Sequence, residues 1–494
     1  MLKTSIFKEI LDFYKEREPI SISLPKKDEL DINFRLANNR TILMYACSNG
    51  DLNVVKDIVM KGANLNATES VYGNSALFFA MCFKHYDIAK YLINAGADVN
   101  IVNKDLETIL SGAIDYNLFD FVELLCRKGI NVNLVNNQSY TPIFLAIANG
   151  YYEITKLLIK YGADLEVKEK VFGDTPLLAS MKFKNNAKLL IDSGANIHAE
   201  NDIEDTPVSI AALLDQLEIV KILKEKGADL NKQNTQRNNP IIFAVGNGYV
   251  EMVEYLLECN VDLHVVDICK ESLLNICIYQ DRLEIMNMLL QKDKNLIHQK
   301  FYTCKWPLVL AAKKNKLYFA ELLLKNGANP NPENLLENSP LFMAFENKNY
   351  KIIEVLIKYG VSKVHLMNCY IHFHKYHELV YLINTNKYLL NEFDGNFRDA
   401  LFNSVYANDV DIAKFLLEKG SDPNIHGSFY SPLKIAILVQ NLEMVELLIK
   451  YGADYGMKNT KSNENYYNTN ESIVDCAKRT FNKKIIRFFE NLGL

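Results

Sequence analysis

The sequence lacks any continuous apolar stretch approaching the roughly 18 residues that a membrane-spanning helix needs. It also lacks an excess of basic residues, since 55 lysines and arginines stand against 60 aspartates and glutamates and give a formal net charge of -5. Nucleic-acid binding needs a concentrated basic face, whereas the short run Lys313, Lys314 and Lys316 is typical of a solvated helix end. We therefore expect neither a membrane protein nor a nucleic-acid-binding protein.

Cysteines are few and follow no pairing pattern. There are nine of them, an odd number, and no two are spaced as Cys-x-x-Cys. This pattern favours a reducing compartment over a disulfide framework. The first eleven residues place charges among their apolar positions and lack the unbroken apolar core of a secretory signal. We expect a protein that is cytoplasmic or otherwise intracellular.

Recognisable catalytic motifs are absent as well. The sequence contains no Gly-x-Ser-x-Gly elbow, no phosphate-binding Gly-x-x-x-x-Gly-Lys and no His-Glu-x-x-His. Aspartates and glutamates are plentiful, but they recur at equivalent positions, where capping and solvation account for them. We predict no enzymatic activity and no cofactor.

One histidine cluster is a candidate metal site. His365, His372, His374 and His377 lie near Cys369, but helical spacing turns His372 and His374 about 200° apart. Zinc needs ligands that converge on one point. We therefore predict surface or packing histidines and no metal.

What the sequence has instead is self-similarity. The phrase Thr-Pro-Ile-Phe-Leu-Ala at Thr141 returns as Thr-Pro-Leu-Leu-Ala-Ser at Thr175, and a Gly-Ala-Asp phrase begins at Gly162, after the first copy. Two phrases in register indicate one supersecondary unit copied many times. The register position recurs at Thr41, Ser75, Thr108, Thr141, Thr175, Thr206, Asn239, Ser272, Trp306, Ser339, Asp399, Ser431 and Ser472.

The local chemistry of one copy predicts two helices and a loop. Thr141 is a suitable N-cap, and Pro142 suits the first helical position because its missing N–H would be unbonded there. A second helix with apolar residues at helical spacing follows the turn at Gly150. Gly162 ends it, since glycine adopts the left-handed conformation without steric cost. Such a helix pair is apolar on too many sides to be stable alone.

These phrases resemble the ankyrin repeat, whose pattern is Gly-x-Thr-Pro-Leu-His-x-Ala followed by Gly-Ala-Asp-x-Asn. Gly173–Leu177 is similar to the first part and Gly96–Asn100 to the second. The resemblance implies an all-α solenoid of about thirteen stacked helix-turn-helix units with hairpin-like loops. One departure runs throughout, because other residues, such as Phe144 and Leu178, occupy the position of the family's histidine, which normally ties adjacent loops together.

Irregular copies divide the chain. The copy at Thr175 is two residues short near its inter-helix turn, and the pattern nearly vanishes between Gly360 and Asp399. We predict an N-terminal capping segment at 1–30, repeats at 31–360, a degenerate repeat at 361–398, repeats at 399–460, and a loop with a C-terminal capping repeat at 461–494.

The resemblance also implies where a partner binds, because ankyrin proteins usually grip partners with the hairpin tips and the inner-helix surface. Large aromatic residues at such positions are candidate interface anchors. The alternative is that each ring folds over the neighbouring hairpin. The candidates at the tips are Tyr72, Tyr140, Phe172, Tyr302, Phe429 and Tyr430, and Phe83, Tyr116, Tyr279 and Tyr406 extend the same face along the inner helices.

Two functions follow from the resemblance. The first is a monomeric, non-enzymatic scaffold that binds a protein partner through its concave surface. The second is the substrate-targeting subunit of an enzyme complex such as a ubiquitin ligase, which needs a recruiting segment outside the repeats. The stretch Asn482 to Leu494 has the pattern of a capping helix, which leaves residues 1–30 for such a segment and favours the first function.

The degenerate repeat is predicted to be the weakest joint of the array. Stability in a repeat protein is approximately a sum of terms for single repeats and their interfaces, so a repeat with few matching residues contributes least. Limited proteolysis followed by intact-mass measurement should give first fragments that end within 361–398. Faster cleavage inside the regular repeats would contradict this prediction.

Overall fold

The structure is a computed structural model that describes residues 31–136, 140–298, 306–331, 339–393, 398–424, 430–456 and 472–493. Within these ranges the backbone forms helices joined by turns and hairpins. Isolated bridges pair Arg35 with Thr41 and Thr68 with Ser75. The prediction of an all-α array of helix-turn-helix units is confirmed.

The described residues contain fourteen helix pairs, and the first helix of each pair is called inner and the second outer. The inner helices are α1 Ile42–Asn49, α3 Ala76–Cys82, α5 Ile109–Asp115, α7 Pro142–Ala148, α9 Pro176–Ser180, α11 Pro207–Leu213, α13 Pro240–Asn247, α15 Leu273–Gln280, α17 Pro307–Lys313, α19 Pro340–Glu346, α21 Lys363–His372, α23 Ala400–Tyr406, α25 Pro432–Leu438 and α27 Ile473–Arg479. The outer helices are α2 Leu52–Met60, α4 Tyr86–Asn94, α6 Phe119–Arg127, α8 Tyr152–Lys160, α10 Lys184–Asp192, α12 Leu217–Glu225, α14 Val250–Glu258, α16 Leu283–Lys292, α18 Leu317–Lys325, α20 Tyr350–Lys358, α22 Tyr376–Thr385, α24 Val410–Glu418, α26 Leu442–Lys450 and α28 Lys483–Asn491. Short 3-10 turns lie at Ala37–Asn39, Lys294–His298 and Lys387–Asn391.

The helices divide into two compact units, Met1–Cys269 and Lys270–Leu494. The first contains α1 to α14 and the second α15 to α28. The degenerate stretch between Gly360 and Asp399 also forms a helix pair, α21 and α22, in which α21 packs on the inner helices α19 and α23. The division of the repeats at 361 and 398 stays a prediction.

Most helix ends follow the predicted chemistry, but Thr141 at the start of α7 makes no side-chain capping hydrogen bond. Oγ1 of Thr41 accepts a hydrogen bond from the backbone N–H of Met44 at 3.3 Å, and Oδ1 of Asn239 accepts one from Ile242 at 3.1 Å. These caps satisfy first-turn N–H groups that have no partner inside the helix. Gly162 has φ +83 after α8, as expected for a left-handed helix end.

Burial explains why the pairs stack. All seven residues of α3 are buried, whereas on α4 burial is confined to Ile88, Ala89, Leu92 and Ile93. Inside each compact unit every inner helix contacts the inner helices of the adjacent repeats. Burying one large aliphatic side chain contributes roughly 1.5–3 kcal/mol, so a single pair would forfeit most of its stability without neighbours. No helix of the described residues is long and apolar enough to cross a membrane.

Most cysteines belong to this core. Six of the eight described cysteines are buried. Burial raises the pKa of the Cys82 thiol to about 12 and is the main cause that raises that of Cys126 to about 11. The thiols therefore stay protonated at neutral pH and pack as small apolar groups.

A first set of amide side chains links the turns that follow successive outer helices. Oδ1 of Asn133 accepts a hydrogen bond from Asp164 N–H at 2.8 Å, and its Nδ2 donates to the carbonyl of Gly162 at 3.0 Å. Asn100 bonds in the same way to the following turn, and so do Asn331 and Asn424 in the second compact unit. The Asn that ends the phrase Gly-Ala-Asp-x-Asn is thus a tie between neighbouring repeats.

A second set, the hairpin ladder, links the hairpins of the first compact unit. Its members are Asn103, Asn136, Asn201 and Asn234, each five residues before a register residue. Oδ1 of Asn234 accepts from Gln236 and Asn238 N–H at 2.9 Å, and its Nδ2 donates to Oδ1 of Asp205 in the preceding hairpin at 2.8 Å. The other three members donate to Asn74, Glu107 and Asp174 in the same way. These bonds tie hairpins together in repeats that lack the family's histidine.

Removing a tie between the outer turns should weaken the array. Asn133→Ala deletes two inter-repeat hydrogen bonds, each with a net contribution of about 0.5–1.5 kcal/mol, so we expect a loss of roughly 1–3 kcal/mol in a urea titration. Asn53→Ala, at an exposed position of α2, is the control and should change stability by less than about 0.5 kcal/mol. If the two substitutions lowered the free energy of unfolding equally, the inter-repeat bonds of Asn133 would not stabilise the array.

The hairpin ladder should make stability depend on pH. Burial raises the pKa of Asp205, while hydrogen bonds from Asn234 and Ser209 lower it by less. A carboxyl group whose pKa is higher in the folded than in the unfolded chain stabilises the fold while it is protonated, at pH values below the pKa of the unfolded chain. This stabilisation is lost as the pH rises through the pKa of the folded chain. Asp205→Asn keeps an oxygen acceptor without the charge, as Asn74 does in another repeat.

We therefore expect Asp205→Asn to raise the urea midpoint of unfolding at pH 7 and to leave it nearly unchanged near pH 3. Asp229→Asn on an exposed turn is the matched control and should show no such pH-dependent gain. A gain that is the same at both pH values, or larger at pH 3, would show that the Asp205 carboxyl is not the cause.

Candidate partner-binding surface

Four of the six predicted tip aromatics lie within the described residues. Phe172 is 65% exposed, whereas Tyr72, Tyr140 and Tyr430 are half-buried. Tyr302 and Phe429 lie outside the described residues. The tips therefore differ in how much of each ring a partner could contact.

The hairpin of Phe172 is held by a buried carboxylate. Glu169 accepts hydrogen bonds from the backbone N–H groups of Val171, Phe172 and Asp174 at 2.5, 2.6 and 3.2 Å. Gly173 then turns the chain with φ +70, and a Cβ there would lie 2.2 Å from Oδ1 of Asp202 in the next repeat. The backbone around Phe172 is thus fixed without any contribution from its ring.

Tyr72 lies in a hairpin of the same design. Glu69 accepts from Val71, Tyr72 and Asn74 N–H at 2.5, 2.7 and 3.0 Å. The sequence signal for both loops is Glu-x-Val-Tyr/Phe-Gly-Asn/Asp-Ser/Thr, at 69–75 and 169–175. The aromatic residue in this phrase was predicted from the sequence, whereas the role of the clamping glutamate is seen only in the structure.

The structure adds apolar neighbours to Phe172. Val171 is 59% exposed, and Ile203 at the adjacent tip is 41% exposed. The two tips are joined by the N–H of Asp202, which donates to the carbonyl of Phe172 at 2.9 Å. We call Val171, Phe172 and Ile203 the tip patch. The signal for the two aliphatic members would have been apolar residues at loop positions where other repeats carry polar ones, such as Thr235.

Tyr140 and Tyr430 are partly covered by their own repeats. The Tyr140 ring lies 6.1 Å from that of Phe144 on α7. The pKa of Tyr140 is raised mainly by desolvation and further by the negative charges of Glu169 and Asp174. Nζ of Lys434 lies 5.1 Å from the Tyr430 ring centre. These two rings contribute more to covering inner helices than the ring of Phe172 does.

Aromatic rings with a nearby cation mark the ends of several inner helices. Tyr406 is 58% exposed with Arg398 at 5.3 Å, and Tyr279 is 40% exposed with Lys314 at 5.7 Å. Tyr116 and Phe83 are half-buried, and Lys84 lies 5.1 Å from the Tyr116 ring. Cation–aromatic pairs at this distance are weakly attractive and hold the rings in place.

The histidines near Cys369 are placed by other contacts. The His372 ring packs 4.9 Å from that of Phe342, and Nδ1 of His374 lies 2.5 Å from Oδ2 of Asp409. Cys369 is buried inside α21. Across the described ranges, no group of three or more His, Cys, Asp or Glu residues is arranged to hold a metal ion.

Comparison with known proteins agrees with this architecture. The sequence matches the family described as "Ankyrin repeats (3 copies)" over residues 9–103, 96–169, 164–234, 209–300, 274–368 and 366–459. These matches cover most of the chain, including the degenerate repeat and the hairpins described above.

Relatives come from animals and viruses. A human protein, transient receptor potential cation channel subfamily A member 1, is 27% identical over 37% of this chain and 14% of its own length. A putative ankyrin repeat protein of Fowlpox virus is 26% identical over 42% of this chain and 56% of its own, and one of Acanthamoeba polyphaga mimivirus is 26% identical over 38% and 49%. The chain thus spans between 14% and 56% of the lengths of these relatives.

The repeated helix pairs, their hairpins and the family match lead to one assignment. The chain belongs to the ankyrin-repeat family, whose repeats are generally protein–protein interaction modules and typically lack enzymatic activity.

Proposed function

We propose that this chain is a non-enzymatic, monomeric, intracellular scaffold that binds a protein partner through its hairpin tips and inner-helix surface. The observation that carries the proposal is the tip patch, in which exposed apolar side chains stand on a backbone fixed by hydrogen bonds to the buried Glu169. Exposed aliphatic and aromatic side chains scattered singly over a surface need no explanation, whereas three on two hydrogen-bonded hairpin tips favour an interaction site.

Rigidity is what distinguishes the tip patch from an ordinary loop. Ordering a loop on binding costs free energy, and a loop that is already ordered avoids that cost. The clamp by Glu169 and the bond from Asp202 to Phe172 hold the patch in place before a partner arrives. A large aromatic ring on such a support has the properties of an interface anchor.

Charged groups around the patch suit a polar rim. Nζ of Lys168 donates to the carbonyl of Glu200 at 2.7 Å, and Nζ of Lys232 lies 3.3 Å from a Glu200 carboxylate oxygen. Lys232 also pairs with Glu204, the residue after Ile203, so both signs of charge occur on the hairpins that carry the patch. This combination fits a partner surface with an apolar centre and mixed charge around it.

The alternative function, a substrate-targeting subunit of a ubiquitin ligase or similar complex, stays a prediction about residues 1–30. Affinity purification of the chain with and without those residues tests it. Capture of ligase components that requires residues 1–30 would support the alternative, and their absence from both samples would leave the simple scaffold.

The proposed surface can be located by lysine-directed crosslinking mass spectrometry in the native cell. Lys170 and Lys104 are exposed at the tips, whereas Lys156 and Lys221 lie on the outer helices α8 and α12. We expect crosslinks to partner proteins from the first pair. Crosslinks confined to the second pair would place the partner elsewhere and refute the proposal.

A substitution in the tip patch should then separate binding from folding. Phe172→Ser removes an exposed ring, so we expect an unchanged thermal midpoint and a loss of about 1–2 kcal/mol in binding to the captured partner, measured by calorimetry. Phe481→Ser is the matched control, because Phe481 is 86% exposed and lies at the turn before α28. Equal binding of the native chain and Phe172→Ser would contradict the proposal.

A further inference from the structure

The outer helices of the second compact unit carry a groove that no residue of an inner helix lines. It has a volume of about 620 Å³ and crosses three successive outer helices, α16, α18 and α20. Leu283, Leu322 and Val355 are the half-exposed aliphatic residues that line it, one from each helix. The tyrosines that border it are Tyr318 and Tyr359, which are 69% and 39% exposed.

Tyr318 departs from the pattern of eight of the other thirteen outer helices, and the remaining five carry Asn, Lys or His at its position. It is the second residue of α18, and the same position is acidic in α4, α6, α8, α12, α14, α16, α24 and α26. An acidic residue there stabilises a helix by about 0.3–1 kcal/mol through the helix dipole. The tyrosine gives up this stabilisation and, with 69% of its surface exposed, recovers little by packing. Stability of the fold therefore does not account for Tyr318.

Charges at the groove are separated by sign. Glu284 and Glu321 line it on α16 and in the middle of α18, whereas Lys325 and Lys358 line it at the ends of α18 and α20. Among the ion pairs of the described residues none involves these four side chains. On the outer helices of the first compact unit, by contrast, Glu218 pairs with Lys184.

The size of the groove distinguishes among occupants. Ten residues line it, fewer than the roughly 20–30 per partner of a stable interface between folded proteins. A short segment fits this size, whereas a second copy of the chain would need a larger contact. The opposite charges at the two ends specify the order of charges in the segment.

We propose that this groove binds a short peptide segment of a partner protein, with apolar side chains in the centre, a basic residue at the Glu284 end and an acidic residue at the Lys358 end. The apolar side chains pack between Tyr318 and Tyr359, and the terminal charges pair across the groove. This site is separate from the hairpin tips of the proposed function, and it stands whether or not the tip patch binds a partner.

The test is selection of random 12-residue peptides displayed on phage against the full chain, with removal of clones that also bind Tyr318→Glu. That variant carries the acidic residue typical of the other outer helices, so it should fold as well as the native chain. We expect selected peptides to have an apolar centre between a basic and an acidic end. In fluorescence anisotropy their affinity should fall at least tenfold on Tyr318→Glu and on Glu284→Lys.

Two controls complete the test. Tyr381→Glu changes a tyrosine that is 74% exposed on α22 and does not line the groove, and Phe172→Ser changes the tip patch. Both should leave peptide affinity within twofold. The proposal is overturned if no clone distinguishes the native chain from Tyr318→Glu, if the selected peptides lack the charge order, or if Phe172→Ser abolishes their binding. A dimer in sedimentation that Tyr318→Glu dissociates would also overturn it, in favour of a second copy.

Discussion

The stacking of inner helices on one another is the contact on which the rest of this structure depends. An inner helix such as α3 is buried on every side, and the apolar surface that it would expose alone is covered by the inner helices of the adjacent repeats. The contribution of this hydrophobic burial to the stability of the fold therefore belongs to the interface between neighbouring repeats and cannot be assigned to one repeat. This arrangement fixes the spacing of the repeats and brings successive hairpins close enough to bond.

Hydrogen bonds between side-chain amides and backbone groups then set the loops. In the first compact unit Asn201 and Asn234 each order their own hairpin and bond to the preceding one, and Glu169 does the same ordering for the loop of Phe172. The loops therefore do not rely on the histidine that the family usually places in the inner helix. Because Glu169 and Asp202 hold the backbone around Phe172, the fold does not require an aromatic ring at this tip.

Variation between repeats is where function can be specified on a scaffold of this kind. Phe172 and Tyr318 both stand where most repeats carry a polar or acidic residue, one on a hairpin tip and the other at the start of an outer helix. Neither ring contributes much to the core, since 65% and 69% of their surfaces are exposed. Phe172 belongs to the first compact unit and Tyr318 to the second, and each is the central residue of one of the two sites proposed above.

The sequence alone determined the repeats, their helix ends and their loops, because these depend on local chemistry. Thr and Asn caps, the left-handed Gly162 and the shortened helix after Thr175 all follow from residues within one repeat. Only the tertiary structure decided which surface residues come together. The hydrogen bond from Asp202 to Phe172, the bonds of the hairpin ladder and the groove across three outer helices depend on the stacking distance between repeats. That distance is set by side-chain packing across neighbours about 33 residues apart, which no local pattern records.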